Sequence, residues 1–170
     1  MNLRCRPALP RDAADCVALR GLTRENAITE DRLRSLGITV HSWGEDIRSG
    51  VLPGFVALDD ADRMLGYCFG DRASGEVVVL ALRPEAEGRG IGRRLLGQVV
   101  ETLRDSGHRR LFLGCSSDTG CRAHGFYRHL GWRSTGQIDR LGDEVLELLL
   151  PEPPRSTKDL PTPCTSKPTT

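Results

Sequence analysis

Lysine is almost missing from this chain. Its only two, Lys158 and Lys167, fall in residues 151–170, so no lysine stands beside a glycine-rich turn as a phosphate loop of the G-K-[ST] type requires. No apolar run approaches the roughly 20 residues of a membrane-spanning helix. The opening Met1-Asn2-Leu3-Arg4-Cys5-Arg6-Pro7 lacks the apolar core of a secretory leader. The expectation is a cytoplasmic protein that crosses no membrane. Aromatic residues make up 5% of the chain, are not interleaved with basic ones, and accompany a net charge of only +1, which argues against a nucleic-acid partner. The six cysteines, Cys5, Cys16, Cys68, Cys115, Cys121 and Cys164, include no C-x-x-C pair and no histidine pairing of the zinc type, so they read as reduced thiols, mostly core fillers. His124 and His129, five apart with no third ligand in view, read as surface histidines, and no metal is expected.

What is present points to one soluble globular domain over residues 1–150. The chain has 170 residues, 38% hydrophobic and 28% charged, enough for a proper core. Residues 151–170, rich in Pro, Ser and Thr, are expected to form a disordered tail. The most informative stretch is Leu80-Ala81-Leu82-Arg83-Pro84-Glu85-Ala86-Glu87-Gly88-Arg89-Gly90-Ile91-Gly92-Arg93-Arg94, where an apolar strand runs through a glycine-rich, basic turn into a helix. The first N–H groups of a helix lack internal partners, and its dipole places partial positive charge there, so the turn reads as a pyrophosphate cradle. Glycines at 88, 90 and 92 let the chain approach phosphate oxygens closely, and Arg89, Arg93 and Arg94 add charged donors. The helix presents Ile91, Leu95, Val99 and Leu103, with Leu96 and Val100 beside them, as one buried face. A dinucleotide fingerprint does not fit, because the glycines alternate and no βαβ unit with a later acidic partner surrounds them.

The remaining elements follow from pattern. A strand is expected over residues 2–6, a helix over 10–20 with Ala14, Val17 and Ala18 inward, and two short helices over 29–36 and 41–49, bounded by a cap at Thr29 and a stop at Gly37. Strands follow at 55–58 and 64–70, then 76–82, whose β-branched run Val77-Val78-Val79 predicts a central strand covered on both faces. After the long helix come a buried strand at 110–115, a short helix at 120–130, and a closing antiparallel pair at 132–138 and 144–150. Charge divides unevenly: residues 83–133 hold ten arginines against five acids, and residues 12–82 hold seven against twelve. The acidic half is either the side that receives a cationic acceptor or simply a solvated surface.

The order β-α-α-β-β-β-α-β-α-β-β over residues 2–150, with Glu87-Gly88-Arg89-Gly90-Ile91-Gly92, resembles the GNAT superfamily of N-acetyltransferases, whose acetyl-CoA loop reads Gln/Arg-x-x-Gly-x-Gly/Ala. The match departs at its first position, where the Glu87 side chain either turns to solvent or pairs with a neighbouring arginine, so that Glu87 contributes only its backbone N–H. Arg122-Ala123-His124-Gly125-Phe126-Tyr127-Arg128-His129-Leu130-Gly131-Trp132 is similar to the family's A-x-x-F-Y-x-x-x-G-F ending. The resemblance implies an α/β fold of mixed α+β character: a central mixed, mostly antiparallel sheet, a V-shaped splay between the fourth and fifth strands, and helices on both faces. It implies that Leu80, Ala81 and Leu82 offer backbone groups to the pantetheine arm, that Glu87 to Arg93 hold the pyrophosphate, and that Tyr127 protonates the departing thiolate. Glu76 falls where histone-type members carry a catalytic glutamate; it is either the base or an exposed hairpin end. The alternative reading of Phe126 and Tyr127 is a plug of the helix against the sheet. Where the family often has an asparagine that bonds the pantetheine, this chain has Gly120. Trp43, Glu25, Glu30, Glu45 and Asp46 belong to the segment that lines the acceptor side in the family. Cys115 has no histidine–acid partner to make it a nucleophile. The implied reaction is direct acetyl transfer from acetyl-CoA to an amine, without a metal. A small-molecule amine comes first, a protein α-amine or lysine second, a noncatalytic acyl-CoA sensor is the rival of another class, and a homodimer is in keeping with the family.

Overall fold

A computed structural model describes residues 3–152; the expected tail, beyond Glu152, lies outside the described residues. Its elements are β1 (Arg4–Pro7), a 3-10 turn (Pro10–Asp12), α1 (Ala13–Arg20), α2 (Glu30–Ser35), α3 (Val40–Ser49), β2 (Gly54–Leu58), β3 (Met64–Gly70) and β4 (Val77–Leu82). A second 3-10 turn (Pro84–Ala86) then leads to α4 (Ile91–Asp105), β5 (Arg110–Cys115), α5 (Arg122–His129), β6 (Arg133–Ile138) and β7 (Glu144–Leu149). Local chemistry sets the boundaries. Thr29 Oγ1 accepts from Arg32 N at 3.3 Å to start α2. Thr39 and Ser42 cap each other's backbone N–H at 3.0 and 2.9 Å to start α3. Among the described residues no helix is long and apolar enough to cross a membrane.

Two antiparallel sheets form, with strand order β1-β2-β3-β4 and β5-β7-β6. One face of the first sheet receives α1, α2 and α3: Ala13, Cys16, Val17, Leu19, Leu33 and Trp43 pack on Val56, Leu58, Met64, Tyr67 and Phe69. The other receives α4, whose Ile91, Leu95, Leu96, Val99 and Leu103 pack on Ala57, Leu65 and Cys68 and reach across to Leu111, Leu113 and Leu146 of the second sheet. The apolar stripe expected on α4 is therefore the one it buries.

Three expectations are corrected. In α1 the inward residues are Ala13, Cys16 and Val17, while Ala14 and Ala18 are exposed. The stripe is shifted by one position because the larger apolar groups, Cys16, Val17 and Leu19, decide which face turns in. The strand covered on both faces is β3, buried at every residue, not β4, which ends its sheet and leaves Val78 47% exposed. Glycine hides β3 from a hydropathy reading: a Cβ at Gly70 would lie 2.8 Å from Leu103 Cδ1 and 2.9 Å from Val99 Cγ1, so α4 rests directly on the backbone there. Likewise β5 buries Leu111, Leu113 and Cys115 but exposes Arg110 and Gly114, a half-buried strand rather than a fully buried one.

The buried charged residue among those described is Asp12. Its carboxylate accepts from Arg6 Nη1 and Nη2 at 2.7 and 2.8 Å and from Leu9 N at 2.7 Å, tying β1 to the start of α1. Burial pushes this carboxyl up, but the Arg6 hydrogen bonds, the Leu9 N–H and the Arg6 charge outweigh it and hold the group below its usual value. A depressed carboxyl contributes stability above its unfolded pKa of about 4 and loses it as pH falls through the folded value. Asp12→Ala is expected to cost about 2–3 kcal/mol at pH 7, toward the low end for a broken buried pair. The difference from wild type should shrink below about pH 4, which denaturant melts at pH 7 and pH 3 would test. A gap that stays constant across that range would sink the ion-pair account.

Candidate functional site

The two sheets meet along β4 and β5 at one parallel bridge, Glu76 to Phe112, with Phe112 N donating to Gly75 O at 3.3 Å. Beyond it the strands separate, each the edge of its own sheet. The gap is a cavity of about 890 Å³, a volume that suits an extended organic ligand. Val77 to Leu82 form one wall and Leu113 to Ser116 the other. The outer edge of β4 therefore carries backbone groups without a strand partner past the bridge, the arrangement that accepts an added strand-like ligand. Its β-branched run faces this gap, which explains why an apolar strand can be a sheet edge.

At the C-terminal end of β4 the chain turns through Glu87, Gly88 and Gly90, all in the cavity wall. Gly90 is the N-cap of α4 with φ +75°, and a Cβ there would meet nothing within 4 Å, so the space above the helix start is open. The first free N–H groups of α4, on Ile91, Gly92 and Arg93, belong to residues in the same wall. At Gly92 a Cβ would stand 3.2 Å from Leu82 Cδ1 and 3.6 Å from Phe126 Cζ, so α4, β4 and α5 converge closely there. Arg89 is exposed and lies outside this wall.

Glu87 is the departure in the cradle, and its neighbours account for it. Its Oε2 accepts from Arg24 Nε at 2.9 Å and from Arg122 Nη1 at 2.9 Å, so the carboxylate is doubly paired. Next to Arg24, the Glu25 carboxylate accepts from the backbone N of Arg122 at 3.1 and 3.2 Å and from the Cys121 thiol, capping α5 where Cys121 makes no capping bond to the helix backbone. Those bonds, first the Arg122 N–H, then the Cys121 thiol, hold the Glu25 carboxyl below its ordinary value. Gly120 is exposed and outside the cavity wall.

Tyr127 lines the cavity and is 9% exposed, packed edge-on against Phe126 and Trp132 at 5.1 and 6.0 Å between ring centroids. Burial, reinforced by Cys68 and Cys115, raises its phenol well above the ordinary value, so it stays protonated. Glu76 sits one residue outside the wall, which begins at Val77; burial first, then Asp71 and Asp139, raises its carboxyl. Asp143, in the turn between β6 and β7, is in the wall. Burial and then Asp139 raise its carboxyl too. The sequence marks that turn only as polar, and nothing in it distinguishes a cavity acid from a solvated one. Cys115 is in the wall, but burial pushes its thiol up to about 11, which leaves it protonated and unreactive. Of the acceptor-side candidates, Trp43, Glu25 and Asp46 line the cavity, whereas Glu30 and Glu45 pair with Arg34 and Arg48 on their own helices. Among the described residues no group of three histidine, cysteine or acidic side chains is placed to hold a metal.

Fold and site together define an α/β protein that opens between two splayed strands onto an open, glycine-rich helix start. Residues 19–132 match the profile of the Acetyltransferase (GNAT) family, and the chain belongs to that family. It is 39% identical over 62 residues to a mycothiol acetyltransferase of Beutenbergia cavernae, an alignment covering 36% of this chain and 20% of that protein. The chain thus spans about a fifth of that relative's length. Among solved structures it resembles the PaiA N-acetyltransferase of Thermoplasma acidophilum in complex with coenzyme A, with TM-score 0.72 and 17% identity over 88% of this chain and 99% of that one. It also resembles YncA of Salmonella typhimurium with acetyl-CoA, with TM-score 0.66 and 20% identity over 96% and 100% of the two chains. These likenesses are of fold.

Proposed function

We propose that this protein transfers the acetyl group of acetyl-CoA directly to a primary amine of a small molecule. The observation that carries the reading is the continuity of one cavity from the Gly90 cradle, along the open edge of β4, to Tyr127. Acetyl-CoA supplies the activated acetyl group as a thioester. The N–H groups of Ile91, Gly92 and Arg93 hold its pyrophosphate, and the backbone of Leu80, Ala81 and Leu82 aligns the pantetheine arm and polarises the thioester carbonyl. Tyr127 Oη delivers a proton to the leaving sulfur, and Glu76, directly or through a water, takes one from the amine. Asp143 is the second candidate for the base, favoured by its place in the wall. A cytoplasmic setting and a homodimer complete the reading, in keeping with the free cysteines among the described residues and with the family.

The test is acetyl-CoA-dependent thermal stabilisation, followed by thiol release across a panel of amines that includes mycothiol-type acceptors, after the name of the Beutenbergia relative. Stabilisation with amine-dependent release supports the proposal. Stabilisation without release on any amine, peptide or protein acceptor replaces it with an acyl-CoA sensor. The absence of any shift at saturating acetyl-CoA overturns it.

A further inference from the structure

Arg24 and Arg122 take no part in the core or in the roles assigned above, yet both stand at the mouth of the cavity. One comes from the loop between α1 and α2, the other opens α5, and Glu87 of the cradle joins them. All three are in the cavity wall beside Gly88 and Gly90. The Glu87 side chain is 17% exposed, while those of Arg24 and Arg122 are 55% and 59% exposed. Two guanidiniums on one carboxylate leave the trio with a net positive charge at the lip of an anion cradle. Arg24 engages Glu87 through Nε alone and Arg122 through one Nη alone; among the described residues neither guanidinium makes another hydrogen bond. A guanidinium has five N–H donors, so each keeps a free edge able to take two oxygens of a phosphate side by side.

We propose that Arg24 and Arg122 are phosphate ligands, clamping from the α1–α2 loop and from the start of α5 the diphosphate-bearing end of the molecule that the cradle takes, with Glu87 as the positioning residue that holds the two guanidiniums together at the lip. The proposal rests on the acetyl-CoA reading for the identity of that molecule, but its chemistry, a diphosphate between two arginines and a helix start, stands apart from the acetyl group. Glu25 bonds the main-chain N of Arg122, not its side chain, so replacing the guanidinium leaves the cap of α5 in place.

The experiment is calorimetric titration of wild type, Arg24→Ala, Arg122→Ala and the double variant with three probes: acetyl-CoA, S-acetyl-pantetheine, which lacks phosphate, and inorganic pyrophosphate. Each single variant is expected to bind acetyl-CoA and pyrophosphate about 10-fold more weakly, in line with a lost charge-assisted bond, and the double variant more weakly still. S-acetyl-pantetheine binding should stay within about twofold, and the affinity of wild type for pyrophosphate should fall with added salt more steeply than that of the double variant. Arginine-to-lysine versions, which keep the charge but not the fork, should recover part of the loss, and they serve as the folded control if an alanine variant melts early. Equal losses for acetyl-CoA and S-acetyl-pantetheine would overturn the proposal, because the arginines would then only brace the loop. So would alanine variants that bind acetyl-CoA as wild type does. A wild type that binds pyrophosphate in an arginine-dependent way but ignores acetyl-CoA keeps the clamp and removes the acetyl-CoA reading.

Discussion

Gly90→Glu is expected to fold with a melting temperature near that of wild type and to lose all stabilisation by acetyl-CoA. Two opposing effects set the stability of the empty variant. The backbone at position 90 has φ +75°, which costs a residue with a Cβ about 1 kcal/mol. Against this, the substitution starts without a clash, since an ideal Cβ has nothing within 4 Å, and a carboxylate at a helix N-terminus gains up to about 1 kcal/mol from the dipole. The near-cancellation keeps the fold, while the same carboxylate fills the space proposed for the phosphates and would face them with like charge. A ligand at 100 times its dissociation constant stabilises the folded state by about 2.7 kcal/mol. For a chain of this size that is a shift of roughly 5–11 °C. Scanning fluorimetry with and without saturating acetyl-CoA should show that shift in wild type and none in the variant. A variant that keeps the full shift would place the cofactor elsewhere and dismantle the cradle assignment.

The strand, glycine turn and helix start around Gly90 were legible because their requirements are local: turn glycines, an amphipathic helix directly after them, and the strand before them all lie within a continuous stretch of chain. The strand bounds at Met64–Gly70 and Arg110–Cys115 and the stop at Gly37, with φ +79°, were legible for the same reason. Coverage was not. The Val77-Val78-Val79 run signals an apolar environment, but hydropathy does not distinguish a neighbour supplied by the protein from one supplied by a ligand, so a strand open to a cavity read as a central one. Conversely β3, the strand that is enclosed, carries glycines at 66 and 70 that lower its apparent hydrophobicity because neighbouring side chains occupy their place. The fate of Glu87 was only half legible. That a carboxylate there needs a cation follows from electrostatics, but its partners, Arg24 and Arg122, are 63 and 35 residues away, and only the closure of the fold selects them among the many arginines. The cap of α5 by Glu25, 97 residues distant, and the cavity position of Asp143 belong to the same category.

Tyr127→Phe should lower kcat by about 100-fold or more, the range expected when a positioned general acid is removed, while leaving acetyl-CoA binding and thermal stability nearly unchanged. The separation follows from how the side chain is held. Its ring packs against Phe126 and Trp132, contacts that phenylalanine keeps, and the hydroxyl makes no hydrogen bond among the described residues, so its loss leaves no partner unsatisfied. The phenol is held well above its ordinary value, by burial first, so wild type should show no decline in rate from loss of this proton at any pH up to about 10. The loss in the variant should therefore be constant across that range. If instead the defect appears in KM for acetyl-CoA with kcat intact, Tyr127 is a wall of the pantetheine channel and the leaving thiolate takes its proton from water. If stability falls by several degrees with activity per folded molecule unchanged, the plug between helix and sheet is its whole role. The constant loss in kcat alone is the outcome that a proton on Tyr127 Oη requires, because packing acts on both binding and stability whereas a transferred proton acts only on the step in which sulfur departs.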